Sequence, residues 1–242
     1  MKASTSSPYF WSLLLLLSEV VSGLYAQPKP VSRATQWKPE QGKYYFSHVL
    51  VYEYLMKSDS IKGELRVQVD PVTGSMCFQR ETSFGTTDEV NEIIVALANG
   101  KYIACGTDAN GKKIRSTYIN SALTPHPEDV QFQRDSFKEQ CISTGQVRRE
   151  FGWESAEHML AFSRTPDKTR LWLATVPFYV YPLYAFDEWG GDAQLPVVLS
   201  YNYVLGPKQL ITELDDPEVH LQLVRYENSP YVVNLTRFIK ID

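Results

Sequence analysis

The feature that most constrains the fold is a succession of apolar stretches separated by short turn sequences. In residues 64–70 (Glu-Leu-Arg-Val-Gln-Val-Asp) apolar and polar side chains alternate strictly, which is typical of a strand with one buried face. Pro71-Val72-Thr73-Gly74 follows, in which proline presets its φ and glycine accepts a positive φ, and residues 75–78 return as a second strand. The sequence therefore predicts a β-hairpin over residues 64–78.

A second hairpin is indicated by Asn99-Gly100, the strongest two-residue hairpin signal, which predicts a strand before it and another at residues 101–105. Residues 90–98 keep an alternative, because their apolar positions also fit a helical stripe: Val90, Ile93, Ile94 and Leu97. We favour a strand, since Ile93-Ile94-Val95 is a β-branched run, and the choice stays open.

The rest of the chain extends this pattern. Further strands are predicted at residues 44–55, 114–119, 159–164, 169–176, 196–205, 209–214, 219–226 and 231–238. Residues 177–186 hold two prolines and predict a sheet edge or an extended loop. One helix is predicted within residues 121–152, beginning at Glu128-Asp129, with Val130, Phe137 and Cys141 on one face and Gly145 as its end. The expected fold is mainly β, a curved antiparallel sheet or half-barrel wrapped around one or two helices.

The amino-terminal residues predict export. Lys2 precedes an apolar run at residues 10–17, and small residues follow at Gly23 and Ala26, which is the order of a secretory signal peptide. The apolar run is shorter than the roughly 20 residues that span a bilayer. We expect a signal peptide at residues 1–26, cleaved after Gly23 or Ala26, an extended leader at 27–41 and one β-rich domain at 42–242. The protein is therefore expected to be secreted or periplasmic.

Charge and cysteine content narrow the function classes. The formal net charge is −4, so no basic excess favours nucleic acid as a partner. No stretch after residue 26 is apolar enough to predict a transmembrane segment. The three cysteines permit at most one intramolecular disulfide, for which we prefer Cys77–Cys105 because their predicted strands are candidates for neighbours. Whether these two cysteines pair stays open.

Signals for catalysis or metal binding are weak. The Gly-x-Ser-x-Gly motif of nucleophile-elbow hydrolases is absent, and the four histidines show no zinc-ligand spacing: His48, His126, His158 and His220. Glu154, Glu157 and His158 lie close in sequence, and a solvated turn is the favoured interpretation. Asp187, Glu188 and Asp192 are suitable calcium ligands chemically, but they lack the spacing of the twelve-residue calcium loop. We predict no catalytic residue, no metal ligand and no cofactor.

Aromatic side chains crowd the last third of the chain. Core packing is the first explanation. However, an aromatic, proline-broken segment beside a curved sheet is also suited to form the lip of an apolar cavity. The residues predicted to line such a site are Trp172, Phe178, Tyr181, Tyr184 and Trp189.

The layout of residues 42–242 resembles the periplasmic lipoprotein-carrier (LolA-like) half-barrel class. The resemblance is carried by residues 169–174 (Thr-Arg-Leu-Trp-Leu-Ala), the proline-aromatic stretch, residues 195–199 (Leu-Pro-Val-Val-Leu) and the closing strands. Residues 99–108 also resemble uncharacterised secreted envelope proteins. This likeness implies a cavity for acyl chains and supplies no catalytic residue.

These features lead to one leading expectation and two alternatives. The leading expectation is a non-enzymatic binding protein that holds an apolar small molecule, an acyl chain or a lipidated protein in the curved sheet. The first alternative is an envelope interaction or structural protein that binds through its aromatic loop or a sheet edge. The second is a hydrolase with a nonstandard site.

Overall fold

The computed structural model describes residues 32–84, 90–124, 126–161 and 168–241. The predicted signal peptide at residues 1–26 lies outside the described residues. Arg33–Asp242 form one compact unit. In the described part of the predicted leader, a one-turn helix, α1 (Arg33–Gln36), and a 3-10 turn (Pro39–Gln41) stand where extended chain was expected.

The unit is built on a single twelve-stranded, curved and unclosed sheet, which confirms the predicted mainly β class. Its strands are β1 (Lys43–Met56), β2 (Ile61–Asp70), β3 (Ser75–Gln79), β4 (Asn91–Ala96), β5 (Lys101–Thr107), β6 (Lys113–Ile119), β7 (Cys141–Glu150), β8 (Trp153–Ala161), β9 (Lys168–Thr175), β10 (Gln209–Asp215), β11 (Val219–Asn234) and β12 (Ile239–Lys240). Their spatial order is β12-β6-β5-β4-β3-β2-β1-β11-β10-β9-β8-β7. The described pairs are antiparallel except β12 with β6.

The remaining helices are few and short. They are α2 (Pro127–Gln140), α3 (Tyr181–Tyr184), 3-10 turns at Ser121–Leu123, Phe186–Glu188 and Leu235–Arg237, and a π-type turn at Arg80–Phe84. No helix in the described ranges is long and apolar enough to cross a membrane.

The predicted hairpins form where the turn residues indicated. Gly74 (φ +70°) and Gly100 (φ +87°) both adopt the left-handed conformation that glycine accepts without a steric penalty. A Cβ at Gly74 would also lie 2.4 Å from the Tyr179 Cβ, so glycine is required there twice over. The open question at residues 90–98 resolves as a strand, β4.

Residues 176–205, called here the covering segment, pack on one face of the sheet, called the inner face. Alternating strand residues such as Leu65, Val67 and Val69 meet buried covering-segment side chains in one large apolar cluster. A smaller cluster on the outer face, around Phe46, Cys77 and Val95, is closed by Trp37 from the leader. The sheet is therefore buried on both faces at β3–β5, and this explains the unbroken apolar run of β4.

The predicted helix ends earlier than expected, and a strand was missed. α2 stops at Gln140, Cys141 begins β7, and Gly145 (φ +80°) lies in a bulge of β7 between Ser143 and Val147. β7 is one of the two edge strands of the sheet and is exposed for most of its length. Such a strand needs no apolar alternation, and this is why its sequence resembles a polar helix end.

Three further expectations are corrected. Residues 196–205 belong to the covering segment and form turns, not a strand. The two strands expected at 219–226 and 231–238 are joined in one strand, β11, which ends at Asn234 before the 3-10 turn at Leu235–Arg237. A register shift between Phe46 and His48 accommodates Pro230. The strand expected to start at residue 159 starts at Trp153, and residues 162–164 lie outside the described ranges.

The preferred disulfide is absent: Cys77, Cys105 and Cys141 are free thiols. β4 lies between the strands of Cys77 and Cys105, because Cys77 pairs with Val95 and Cys105 with Ile93. Two strand spacings of about 4.8 Å separate the cysteines by about 10 Å, beyond the reach of about 7 Å between Cα atoms that a disulfide allows.

Candidate functional site

The five residues predicted to line a ligand site are all buried, at most 8% exposed. Phe178, Tyr181, Tyr184 and Trp189 belong to the large cluster between the covering segment and the sheet. Trp172 faces the opposite way, where the Arg148 guanidinium lies 4.2 Å from its ring centroid. The fold thus brings four of these side chains together and places the fifth elsewhere. Their part in ligand binding stays a prediction.

The polar atoms of these aromatic side chains bind the protein's own backbone. The Tyr181 hydroxyl donates to the Leu205 carbonyl at 2.9 Å, and the Tyr184 hydroxyl donates to the Gln209 carbonyl at 2.7 Å. The Trp189 indole N–H donates to the Ala193 carbonyl at 3.0 Å. The bonds of Tyr181 and Trp189 fix the covering segment internally, and the bond of Tyr184 attaches it to β10.

A second group of rings is half-buried at the margin of the inner cluster. It comprises Phe151, Trp153, Tyr226 and His48, and is called here the aromatic rim. Successive ring centroids are 6.1, 4.6 and 4.9 Å apart, and the His48 and Tyr226 rings stack at an interplanar angle of 13°. The ring of Phe178 is fully buried, and its centroid lies 5.9 Å from that of Trp153 and 5.7 Å from that of Tyr226. One of the predicted lining residues therefore supports this rim from beneath.

Strand register explains why these four side chains meet. Tyr226 on β11 is opposite Leu50 on β1, and His48 lies two residues from Leu50, so both rings emerge on the inner face. Trp153 begins β8, directly opposite Glu150 at the end of β7, which leaves a two-residue turn of Phe151 and Gly152. The rim therefore joins the tip of the edge hairpin to the central strands β1 and β11.

The backbone of this turn is unusual. Phe151 has φ +53° and Gly152 has φ +81°, the positive pair that a type I′ turn requires. Asn or Gly is the usual residue at the first position, and a bulky side chain there costs on the order of 1–2 kcal/mol. Strained residues of this kind cluster at ligand sites, where the surrounding structure holds them in place.

The polar atoms of the rim differ from those of the core aromatics. Among the described residues, the Trp153 indole N–H and the Tyr226 hydroxyl have no hydrogen-bond partner. His48 Nδ1 lies 2.8 Å from the Ser47 hydroxyl. Burial lowers the pKa of His48, against the opposing charge of Asp70, so its ring is neutral at pH 7. The rim thus combines apolar ring faces with hydrogen-bonding groups and carries no charge.

Two of the three carboxylates considered for calcium, Asp187 and Glu188, have other partners. The Asp187 carboxylate accepts a hydrogen bond from the Leu195 N–H at 2.7 Å, and Glu188 accepts one from the Tyr203 hydroxyl at 3.0 Å. Burial raises the pKa of Asp187 to about 6. Nowhere in the described ranges do three His, Cys, Asp or Glu side chains lie together as a metal would need. Asp187 instead organises the covering segment.

Glu154, Glu157 and His158 lie on β8 and not in a turn. Glu157 is buried on the outer face and accepts from the Thr144 hydroxyl at 2.7 Å. His158 pairs with Leu171 on the inner face, and its Nδ1 lies 3.1 Å from the Ala156 carbonyl. Their opposite orientation separates the histidine from the buried carboxylate.

An ion-pair network on the outer face of β7–β10 escaped sequence reasoning. Arg148 reaches across Trp172 to Glu213 at 2.6 Å, and Arg170 contacts Glu213 at 3.2 Å and Asp215 at 3.1 Å. Its members come from strands distant in sequence, so no local pattern reveals it. Because each carboxylate here faces an arginine, the network neutralises itself and is suited to fastening strands.

The aromatic rim also escaped sequence reasoning. Its residues lie at positions 48, 151, 153 and 226, so only the three-dimensional fold assembles them. One local signal was present: Phe151-Gly152 stands between two stretches rich in charged residues, at a turn where Asn-Gly would be expected.

Comparisons with known proteins leave the chain without a family. No family model and no curated protein matches it. Among solved structures, PNGF-II in a C2 crystal form matches with a TM-score of 0.40 and 7% identity, over 81% of this chain and 31% of that one. PNGF-II in a P21 crystal form matches with a TM-score of 0.39 and 9% identity, again over 81% of this chain and 31% of that one. The chain thus spans about a third of PNGF-II. At these values the likeness carries no argument, and it gives no support to the lipoprotein-carrier resemblance, which stays a prediction.

Proposed function

We propose that the protein is an exported, non-enzymatic binding protein that holds the apolar face of its ligand against the aromatic rim. The observation that carries the proposal is Phe151, a bulky residue kept in a left-handed backbone conformation at the tip of the β7–β8 hairpin. A residue chosen for stability alone at this position would be Asn or Gly. The conformational cost is explained if the ring is needed where it stands.

The energetics of the rim agree with this role. Half-buried rings retain apolar surface, and covering it with a ligand stabilises a complex by roughly 25 cal/mol per Å². The rings already contact one another and rest on buried Phe178, so little side-chain entropy remains to be lost on binding. The ligand lies at the margin of the inner cluster, because the covering segment occupies the inner face itself.

The test compares two phenylalanines that are both accessible. Phe151→Asn removes a rim ring and suits the left-handed conformation, whereas Phe132→Asn removes a 79% exposed ring on α2, outside the rim. The probes are dodecanoic acid below its micellar concentration and a set of neutral hexasaccharides, titrated by calorimetry.

We expect at least one probe to bind the native protein, with about tenfold weaker affinity for Phe151→Asn and an unchanged affinity for Phe132→Asn. Binding that Phe151→Asn leaves intact, or the absence of binding by every probe, contradicts the proposed function.

A further inference from the structure

We infer that the ligand of the aromatic rim is a neutral saccharide, whose ring face lies on Trp153 and Tyr226 while its hydroxyl groups bond the indole N–H and the phenol hydroxyl. The inference rests on the proposed function and names the ligand class of the same surface. It depends on the placement of unpaired polar atoms beside apolar ring faces, a combination that the core aromatics do not show.

Hydrogen bonding separates a saccharide from an acyl chain. Three buried aromatic side chains, Tyr181, Tyr184 and Trp189, each donate to a backbone carbonyl. In the described ranges the donors of Trp153 and Tyr226 have no such partner and remain for water. An acyl chain laid over the rim would strip that water and leave both donors unsatisfied, at about 1–3 kcal/mol each. A hydroxylated ring replaces the water with its own oxygens and keeps its C–H face on the rings.

Charge separates a neutral saccharide from an anionic or cationic ligand. None of the four rim rings carries a charge at pH 7. Two arginines near the rim are engaged elsewhere: Arg148 with Glu150 at 2.9 Å and with Glu213 at 2.6 Å, and Arg225 with Glu64 at 2.9 Å. A third, Arg149, is exposed on β7 and lies opposite Glu154 in the strand register, so a carboxylate offsets its charge. The rim therefore offers no excess positive charge to a phosphate or a carboxylate.

The same reasoning excludes stacked nucleic-acid bases. A row of aromatic rings suits bases, but single-stranded nucleic acid also requires a positively charged groove along its backbone. The chain has a net charge of −4, and Glu154 and Glu227 are exposed directly beside the rim residues in sequence. These carboxylates would repel a polyphosphate backbone, whereas a neutral sugar is indifferent to them.

The variant that tests this inference is Tyr226→Phe, which keeps the ring and removes only the hydroxyl. The protein is titrated with neutral hexasaccharides built from glucose, mannose, galactose, xylose or N-acetylglucosamine, and separately with dodecanoic acid. We expect at least one hexasaccharide to bind, with an affinity about fivefold to tenfold lower in Tyr226→Phe. Phe132→Asn serves as the matched control and is expected to bind as the native protein does.

Each other outcome identifies which proposal fails. Binding of dodecanoic acid alone, weakened by Phe151→Asn and unaffected by Tyr226→Phe, overturns the saccharide inference and leaves the proposed function standing. Saccharide binding that Tyr226→Phe does not weaken also overturns the inference. Saccharide and fatty-acid titrations that show no binding, or binding indifferent to every rim variant, overturn both.

Discussion

Phe151 holds a backbone conformation that bulky side chains rarely adopt, and its ring is only half-buried. Two effects oppose each other when it is replaced by Asn: relief of the backbone strain stabilises the hairpin, and loss of contact with Trp153 destabilises it. Each is on the order of 1 kcal/mol. A fully buried phenylalanine offers no such compensation.

We therefore expect Phe151→Asn to change the free energy of unfolding by less than about 1 kcal/mol, whereas Phe178→Ala lowers it by about 3–5 kcal/mol. Urea denaturation followed by circular dichroism measures both values. A loss of several kcal/mol in Phe151→Asn would show that the ring is a core element and would remove the reason to assign it to binding.

Asp187 gives the fold a pH dependence whose sign follows from its environment. Burial raises its pKa to about 6, above the usual value for Asp, so the folded state binds a proton more tightly than the unfolded state does. The contribution of Asp187 to the free energy of unfolding is therefore greatest below about pH 4 and decreases as the pH rises through about 6.

Replacing Asp187 by Asn keeps an oxygen for the Leu195 N–H and removes the charge. We expect the variant to be more stable at pH 7, by about 1–2 kcal/mol, and to lack the decrease between about pH 4 and pH 6. Thermal unfolding across this range checks the result. A native-like pH profile in Asp187→Asn would mean that another group titrates.

At the scale of elements, an ion pair adds to the packing of Trp37 in attaching the leader to the sheet. Arg33 of α1 contacts Asp70 at the end of β2 with an Nη2–Oδ2 distance of 3.0 Å, and Asp70 is fully buried while Arg33 is about one-third exposed. Among the described residues, the only other side chain that bonds this carboxylate is Thr73, whose hydroxyl donates to Asp70 at 2.8 Å. Loss of Arg33 would leave a buried charge with a weaker set of partners.

Arg33→Ala is expected to lower the free energy of unfolding by about 2 kcal/mol, less than for a fully buried pair because water reaches the arginine. In the Asp70→Asn variant, residue 70 carries no charge that could be left unpaired. Adding Arg33→Ala to this variant is therefore expected to lower the free energy of unfolding only slightly. A double-mutant cycle in urea measures this coupling, and independent, additive losses would refute the proposed anchor.

The edge strands depend on a second set of charges. Arg148 of β7 spans β8 and β9 to reach Glu213 of β10, so one side chain links four adjacent strands. Arg148→Met retains an apolar stem over Trp172 but removes the charge. Since Arg170 still faces Glu213, we expect the free energy of unfolding to fall by about 1–3 kcal/mol. We also expect the substitution to accelerate amide hydrogen exchange more in β7 and β8 than in β1 and β2. Uniform acceleration across the sheet would exclude a local fastening role.

Across the whole molecule, the sequence predicted those parts whose pattern is local. The alternation of Glu64–Asp70 indicates a strand, and Gly74 and Gly100 indicate turns. Each of these signals depends only on residues that are close together in the sequence. β7 was missed because an exposed edge strand has no apolar face, and the covering segment was misjudged at residues 196–205 because a buried irregular segment is as apolar as a strand.

The candidate site was beyond local patterns for a related reason. The sequence marks Phe178 and Trp153 equally as aromatic, and only packing decides which is covered. The covering segment buries the first, while the second begins β8 at the margin of the cluster. Aromatic density predicted that rings gather in the carboxyl-terminal third; it did not predict which of them remain accessible.

The central claim is that the accessible aromatic surface is the rim and not the segment carrying Phe178, Tyr181, Tyr184 and Trp189. Hydroxyl-radical footprinting with mass spectrometry measures this directly, because oxidation of each ring follows its exposure. We expect oxidation at Phe151, Trp153 and Tyr226, suppressed by the hexasaccharide that binds, with the four buried rings unmodified throughout. Strong oxidation of those four rings in the free protein, or ligand protection found there and not at the rim, would contradict the account.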